Sequence, residues 1–195
     1  MAFSKLLVLL RNPQINILLQ NAILKVAITG PESTGKSTLA QQLAAHYNTM
    51  WVPEYARTYI SELPGRYTAQ DVENIARGQL TSYQLANWPR ANKLLFADTD
   101  LLVIKIWMLH AFGTCPAWIL EALEKQDFSL YLLMNVDLPW EPDPQREHPH
   151  LRQFFYDWYK KELQQYRFNF VEISGTAEKR LQNAVSCVDK LLRAK

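Results

Sequence analysis

Eight consecutive residues, Gly30-Pro31-Glu32-Ser33-Thr34-Gly35-Lys36-Ser37, match the pattern G-x-x-x-x-G-K-[ST] at every fixed position. Each fixed position has a mechanical reason. Gly30 and Gly35 permit backbone angles that other residues avoid, so successive N–H groups can turn inward around phosphate oxygens. A helix beginning near Lys36 adds its positive end. The ammonium of Lys36 reaches the β- and γ-phosphates in such a loop, and the hydroxyl of Ser37 ligates Mg²⁺. Glu32, Ser33, Thr34 and Thr38 belong to the same expected phosphate-binding set. The competing reading is a chance glycine-rich turn. Context argues against it, because a hydrophobic strand precedes the loop and an amphipathic helix follows. The motif points to a nucleoside triphosphate and Mg²⁺, and does not say what becomes of the nucleotide.

Other residues able to do chemistry stand at the ends of apolar runs. Glu54 follows Met50-Trp51-Val52-Pro53, and Asp98 follows Lys93-Leu94-Leu95-Phe96-Ala97. Glu54 either takes the proton of an attacking hydroxyl or pairs structurally with Arg57. Asp98 either holds Mg²⁺, directly or through water, or caps the next helix, a task open to Thr99 as well. Asp100 either meets a ribose hydroxyl or sits in the first helical turn, where an acid is favourable. Arg146 lies in a proline-rich stretch, where a closing lid would set its charge against a transferring phosphoryl group; the alternative is a solvated arginine. Arg152 is a further candidate of that kind. Tyr55 and Trp140 either stack on a flat base or pack. Gly175, in Ser174-Gly175-Thr176-Ala177, marks a backbone contact to adenine or only a helix start capped by Thr176. The histidines at 46, 110, 148 and 150 show no zinc spacing with either cysteine and read as surface residues.

These residues need a scaffold, and the hydrophobic pattern describes one. Short apolar runs predict strands over 24–29, 50–52, 93–97, 129–135 and 170–174. Helical spacing follows Lys36 in Leu39, Ala40, Leu43, Ala44 and Tyr47. A long helix is expected from Thr68 to about Asn87, ended by Trp88-Pro89. Further helices are expected over 101–112, broken by Gly113, from Pro116, over 151–166, and along the stripe Leu181, Ala184, Val185, Val188, Leu191, Leu192. Residues 137–150 hold four prolines and no period, and read as a lid-like loop. The alternation predicts an α/β fold: three layers, a mostly parallel five-stranded sheet of the P-loop NTPase type, and a lid segment. Ligands of such sheets bind at the carboxyl ends of the strands, where the singled-out residues lie.

Composition narrows the class. The chain has 195 residues, 21 Lys+Arg against 19 Asp+Glu, and 48% hydrophobic residues. One domain over 24–195, after an N-terminal extension of residues 1–23, fits that length. Disorder, collagen and a disulfide scaffold are excluded. A net charge of +2 gives no push toward nucleic acid, and no apolar stretch approaches a membrane span. Cys115 and Cys187 form no framework, which suits a reducing compartment. The run Leu6 to Leu10 is cut by Arg11, too short for a secretory core, so a cytoplasmic protein is expected.

Asn92-Lys93 is followed by Leu94-Leu95, which departs from the guanine-specifying Asn-Lys-x-Asp, so ATP is the expected nucleotide. Three further elements follow the phosphate loop in order: Glu54-Tyr55-Ala56-Arg57, Asp98-Thr99-Asp100, and Pro139-Trp140-Glu141-Pro142-Asp143-Pro144-Gln145-Arg146. With that loop, the set resembles the ribosylnicotinamide kinase domain of the bacterial NadR-type NAD-biosynthesis proteins, from about Leu24 onward. The resemblance implies ATP-dependent phosphorylation of the 5′-hydroxyl of nicotinamide riboside, giving nicotinamide mononucleotide. It implies Lys36, Glu54, Asp98 and Arg146 as catalytic groups and Ser37 and Asp98 on the metal. Glu54, Tyr55, Arg57, Asp100 and Trp140 would then meet the acceptor. It also implies a stand-alone kinase, since the chain lacks the His-x-Gly-His signature of an adenylyltransferase domain.

Overall fold

Strands that are apolar on both sides need cover on both faces, and this sheet has it. The computed structural model describes residues 23–86 and 94–194. Its strands are β1 Leu24–Thr29, β2 Met50–Val52, β3 Leu94–Asp98, β4 Leu130–Met134 and β5 Phe170–Ile173. They form one sheet in the order β2-β3-β1-β4-β5, and every pairing is parallel. The described helices are α1 Lys36–His46, α2 Tyr55–Ser61, α3 Ala69–Ala86, α4 Leu101–Phe112, α5 Ala117–Glu124, α6 Arg152–Gln165 and α7 Ala177–Arg193.

Successive strand residues point to opposite faces. Val26, Ile28, Leu130, Leu132 and Met134 meet α1 and α7 through Leu39, Leu43, Ala184 and Val188. Ala27, Tyr131 and Leu133 meet α3 to α6 through Ile75, Leu102, Ile104, Ile119 and Leu163. The three-layer α/β architecture expected from the alternation is the one observed. No helix among the described residues is long and apolar enough to cross a membrane.

Helix boundaries follow local chemistry. At the start of α3 the Thr68 N–H donates to Asp71 Oδ2 at 2.7 Å, and the Asp71 N–H donates to Thr68 Oγ1 at 3.3 Å, a reciprocal cap. Gly113 ends α4 in the left-handed region at φ 71°. The expected end of α3 at Asn87, the Trp88-Pro89 stop, Lys93 and residues 1–22 of the extension lie outside the described residues. Two differences matter for the site. β3 runs to Asp98, which pairs in register with Ile28, so this carboxylate belongs to the strand itself. The second is α2, which the hydrophobic pattern does not reveal: only Ala56 of its seven residues is buried, so it carries no apolar stripe. A helix that short is held by packing rather than propensity, here against α3.

Candidate active site

The phosphate loop joins β1 to α1. Gly30 stands at φ 130°, and a Cβ there would come within 3.1 Å of the Met134 carbonyl oxygen, so only glycine lets β1 leave the sheet against β4. The Thr34 hydroxyl donates to the Pro31 carbonyl at 2.8 Å and fixes the turn. Lys36 Nζ donates to the carbonyls of Gly30, at 3.0 Å, and Pro31, at 2.8 Å. Its ammonium is thus drawn back over the loop.

Asp98 ends the neighbouring strand and is 1% exposed. Its Oδ1 is buried with no hydrogen-bond partner. Burial, reinforced by the nearby Glu54 charge, raises its carboxyl to about 6, against the pull of the Ser37 hydroxyl, Lys36 and Arg57. Asp98 does not cap α4. The cap is Asp100, whose Oδ2 accepts from the Leu102 N–H at 3.1 Å while Oδ1 accepts from the Thr29 hydroxyl at 2.8 Å. Asp100 is fully buried. The expectation of a ribose contact or a first-turn acid is therefore corrected: both oxygens are committed inside the protein.

Glu54 occupies the N-cap position of α2, yet its side chain makes no cap bond. It stands 3.6 Å from Arg57 Nε, whose Nη1 also reaches Asp143 Oδ2 at 2.6 Å. Glu54 therefore pairs with Arg57 and lines the cavity at once. Tyr55 turns away. Its ring lies over Gly78, where a Cβ would fall within 2.2 Å of it, so this tyrosine packs and does not line the cavity. Trp140 likewise lies outside the lining, 5.8 Å beneath the Arg152 guanidinium.

Residues 137–150 have no regular structure and close over the phosphate loop. Ser33 Oγ accepts from the Glu141 N–H at 2.8 Å and from Arg146 Nη1 at 3.4 Å. Glu32 Oε2 accepts from the N–H groups of Glu147 and His148, each at 3.1 Å. These two side chains bind residues 141–148, and the backbone N–H groups that the motif sets toward phosphate are not involved in these bonds. Arg152 Nη1 donates to the carbonyls of Ser33 and Leu138, at 3.2 and 2.9 Å, and is a strut. Arg146 lines the cavity.

Arg180 carries no motif, yet it ties three segments together while 4% exposed. Its Nε donates to the Gly175 carbonyl at 2.7 Å, its Nη1 to the Thr34 carbonyl at 2.8 Å, and its Nη2 to Asp137. Asp137 Oδ2 in turn accepts from the Gly175 N–H at 2.6 Å. Both backbone groups of Gly175 are thus occupied, which corrects its expected contact to adenine. A signal existed in the sequence: Arg180 shares a buried stripe with Ala184 and Val188, and a charge on such a stripe must be paired.

A cavity of about 880 Å³ runs from the phosphate loop past Glu54, Arg57 and Arg146 to an aromatic end. One face of α4 supplies much of that end through Val103, Trp107, His110 and Ala111, at helical spacing. Tyr67 meets Trp107 edge-on at 4.8 Å and donates to Glu147 Oε2 at 2.6 Å. Burial and that carboxylate raise the Tyr67 hydroxyl to about 12. His110 and His148 meet edge-on at 4.8 Å beside Phe155. Both line the cavity, His110 as the exposed residue it was expected to be and His148 partly buried.

The family model described as AAA domain matches residues 25–180. The trifunctional NAD biosynthesis/regulator protein NadR of Escherichia coli (strain K12) is 34% identical over 122 residues, which cover 60% of this chain and 30% of that protein. The chain thus spans less than a third of the curated relative it matches. A crystal structure of NadR protein in complex with NAD and AMP-PNP superposes with TM-score 0.68 at 23% identity, covering 89% of this chain and 50% of that one. A second, of NadR protein in complex with NR, gives 0.68 at 22% identity, covering 87% and 51%. The likeness to NadR is therefore shown over these residues, and the superpositions show the fold.

Proposed function

Since the chain belongs to the AAA domain family, we propose, from the cavity that its phosphate loop opens into, that it is an ATP-dependent kinase. It transfers the γ-phosphoryl group to the 5′-hydroxyl of a nucleoside, nicotinamide riboside, and forms nicotinamide mononucleotide. Residues 24–195 form the kinase domain, with 137–150 as its lid, and the reaction belongs in the cytoplasm. One observation carries this reading. The phosphate loop and the Glu54 carboxylate face the same cavity, and its far end is an aromatic corner of Tyr67 and Trp107.

ATP phosphates lie along Gly30 to Thr38, with Lys36 leaving its carbonyl partners for the β- and γ-oxygens. The residues present fit Mg²⁺, because Asp98 Oδ1 is buried and unpartnered and the Ser37 hydroxyl reaches the same carboxyl at the loop's base. Bound there, the ion neutralises phosphate charge. Glu54 accepts the proton of the attacking hydroxyl, and Arg57 steers its carboxylate. Arg146 meets the phosphoryl charge from the lid, whose closure excludes water. The nicotinamide ring of the riboside is a cation. An aromatic corner with the Glu147 carboxylate beside it favours a flat cation over a neutral base.

The test is ADP release with nicotinamide riboside and a panel of ribo- and deoxyribonucleosides. Turnover is expected with nicotinamide riboside. Turnover only with another nucleoside removes the acceptor assignment and keeps the kinase. ATP binding with no acceptor phosphorylated removes the kinase as well.

A further inference from the structure

A base works only if its carboxylate is held where the proton will be, and the Arg57 pair steers the Glu54 carboxylate without fixing the backbone that carries it. It lies after an edge strand of three residues, and its side chain makes no cap bond to α2. The support comes from α3, none of whose residues lines the cavity. Gln79 is 1% exposed. Its Oε1 accepts from the Tyr55 N–H at 2.7 Å, and its Nε2 donates to the Pro53 carbonyl at 3.3 Å. Those are the two peptide groups on either side of the Glu54 Cα. A side-chain amide offers one acceptor and one donor at the right span, which a carboxylate or hydroxyl does not combine in fixed geometry. The adjacent Gly78 leaves room for the Tyr55 ring. One turn later, the Tyr83 hydroxyl donates to the Thr99 carbonyl at 2.6 Å, next to Asp98. One helix thus grips the chain beside both carboxylates.

We propose that Gln79 is a positioning residue that sets the Glu54 carboxylate toward the acceptor, acting through the backbone of Pro53 and Tyr55. This rests on Glu54 serving as the base. A misplacement of about 1 Å can cost on the order of 10²-fold in rate.

The experiment compares Gln79→Met, similar in length but unable to make either bond, with the wild type and with Val72→Ala. Val72 is a buried core residue of the same helix. Gln79→Met is expected to lower kcat at least about tenfold, with the KM for ATP within about twofold. Val72→Ala, matched for loss of thermal stability, is expected to keep kcat. In a Glu54→Gln background, Gln79→Met should cost nothing further, because it acts through the group already removed. Unchanged kcat, or losses that multiply in the double variant, overturns the proposal.

A second measurement needs neither activity nor a folded variant. The Tyr55 amide heads a short helix and would otherwise be an orphan donor. In the wild type it should exchange with solvent deuterium slowly; exchange as fast as an exposed amide overturns the clamp. If the wild type phosphorylates nothing in the acceptor panel, the kinase reading falls, and the Tyr55 exchange rate still decides whether Gln79 holds this segment.

Discussion

The two ends of the cavity are made of different material. The phosphate end is a single stretch, Gly30 to Thr38, whose working parts are largely backbone groups set by two glycines and a following helix. The end proposed for the acceptor takes Glu54 from the turn after β2, Tyr67 from the loop before α3, Trp107 and His110 from α4, Glu147 and His148 from the 137–150 segment, and Phe155 from α6. A main-chain cradle needs only its own local sequence to be correct. A side-chain corner assembled from five segments depends on every helix that carries one of them. The first suits a ligand part common to all turnovers, and the second can be altered to choose among acceptors.

The largest expected effect tests the common end. Lys36→Ala should reduce turnover by at least on the order of 10³-fold for every acceptor alike, with the fold kept. Activity near that of the wild type would dissolve the contrast between the ends. Glu54→Gln should lower kcat by on the order of 10²-fold while leaving ATP affinity unchanged by equilibrium titration, because its proposed task is the proton of the acceptor hydroxyl. A matching loss of ATP affinity would show that the two ends are not separable.

Asp98 sits at their junction and makes a pH prediction. Its folded carboxyl is raised from 3.8 to about 6, so the folded chain keeps a proton that the unfolded chain releases. The stability this contributes is complete below about pH 4 and is lost as pH rises through about 6. The change is about 3 kcal/mol at most, from roughly two pKa units at 1.36 kcal/mol each. Asp98→Asn should remove that slope from urea midpoints of the nucleotide- and metal-free protein. The parallel slope of Asp100, raised to about 6 by its burial, should stay. An unaltered profile would count against the buried setting of Asp98. Smallest is Trp107→Ala, which should raise the KM for the acceptor about tenfold through lost ring contact and leave kcat within about twofold. The rise should be greatest for a cationic ring; an equal rise for every acceptor would deny this corner a part in selection.

Much of the frame was legible in advance. β1, β2 and α4 were expected at the limits observed, since a buried strand ending in a glycine turn and an apolar helix closed by Gly113 are local patterns. Asp98 was expected at a strand end and lies there. Tyr55 and Trp140 were open to stacking on a base or packing, and neither lines the cavity. Adjacency in a helix does not give a shared direction: Glu54 faces the cavity, and the next residue points onto Gly78. Glu32 and Ser33 belong to the phosphate motif, yet their side chains hold the lid, because the motif constrains the backbone and leaves its variable side chains free. Trp107 was hidden within a helix that read as buried all round. Which of its faces would border a cavity depends on what α3 and α6 cover.

The sequence alone determined the phosphate loop, the strand and helix that frame it, and the parallel order of alternating elements, because each depends on residues within a few turns of one another. Tertiary structure decided which aromatic rings line the cavity, that Arg180 joins Gly175, Thr34 and Asp137, and that Gln79 grips the chain around Glu54. Those partners lie tens of residues apart. Their meeting is set by the packing of whole helices on the sheet, which no local pattern encodes.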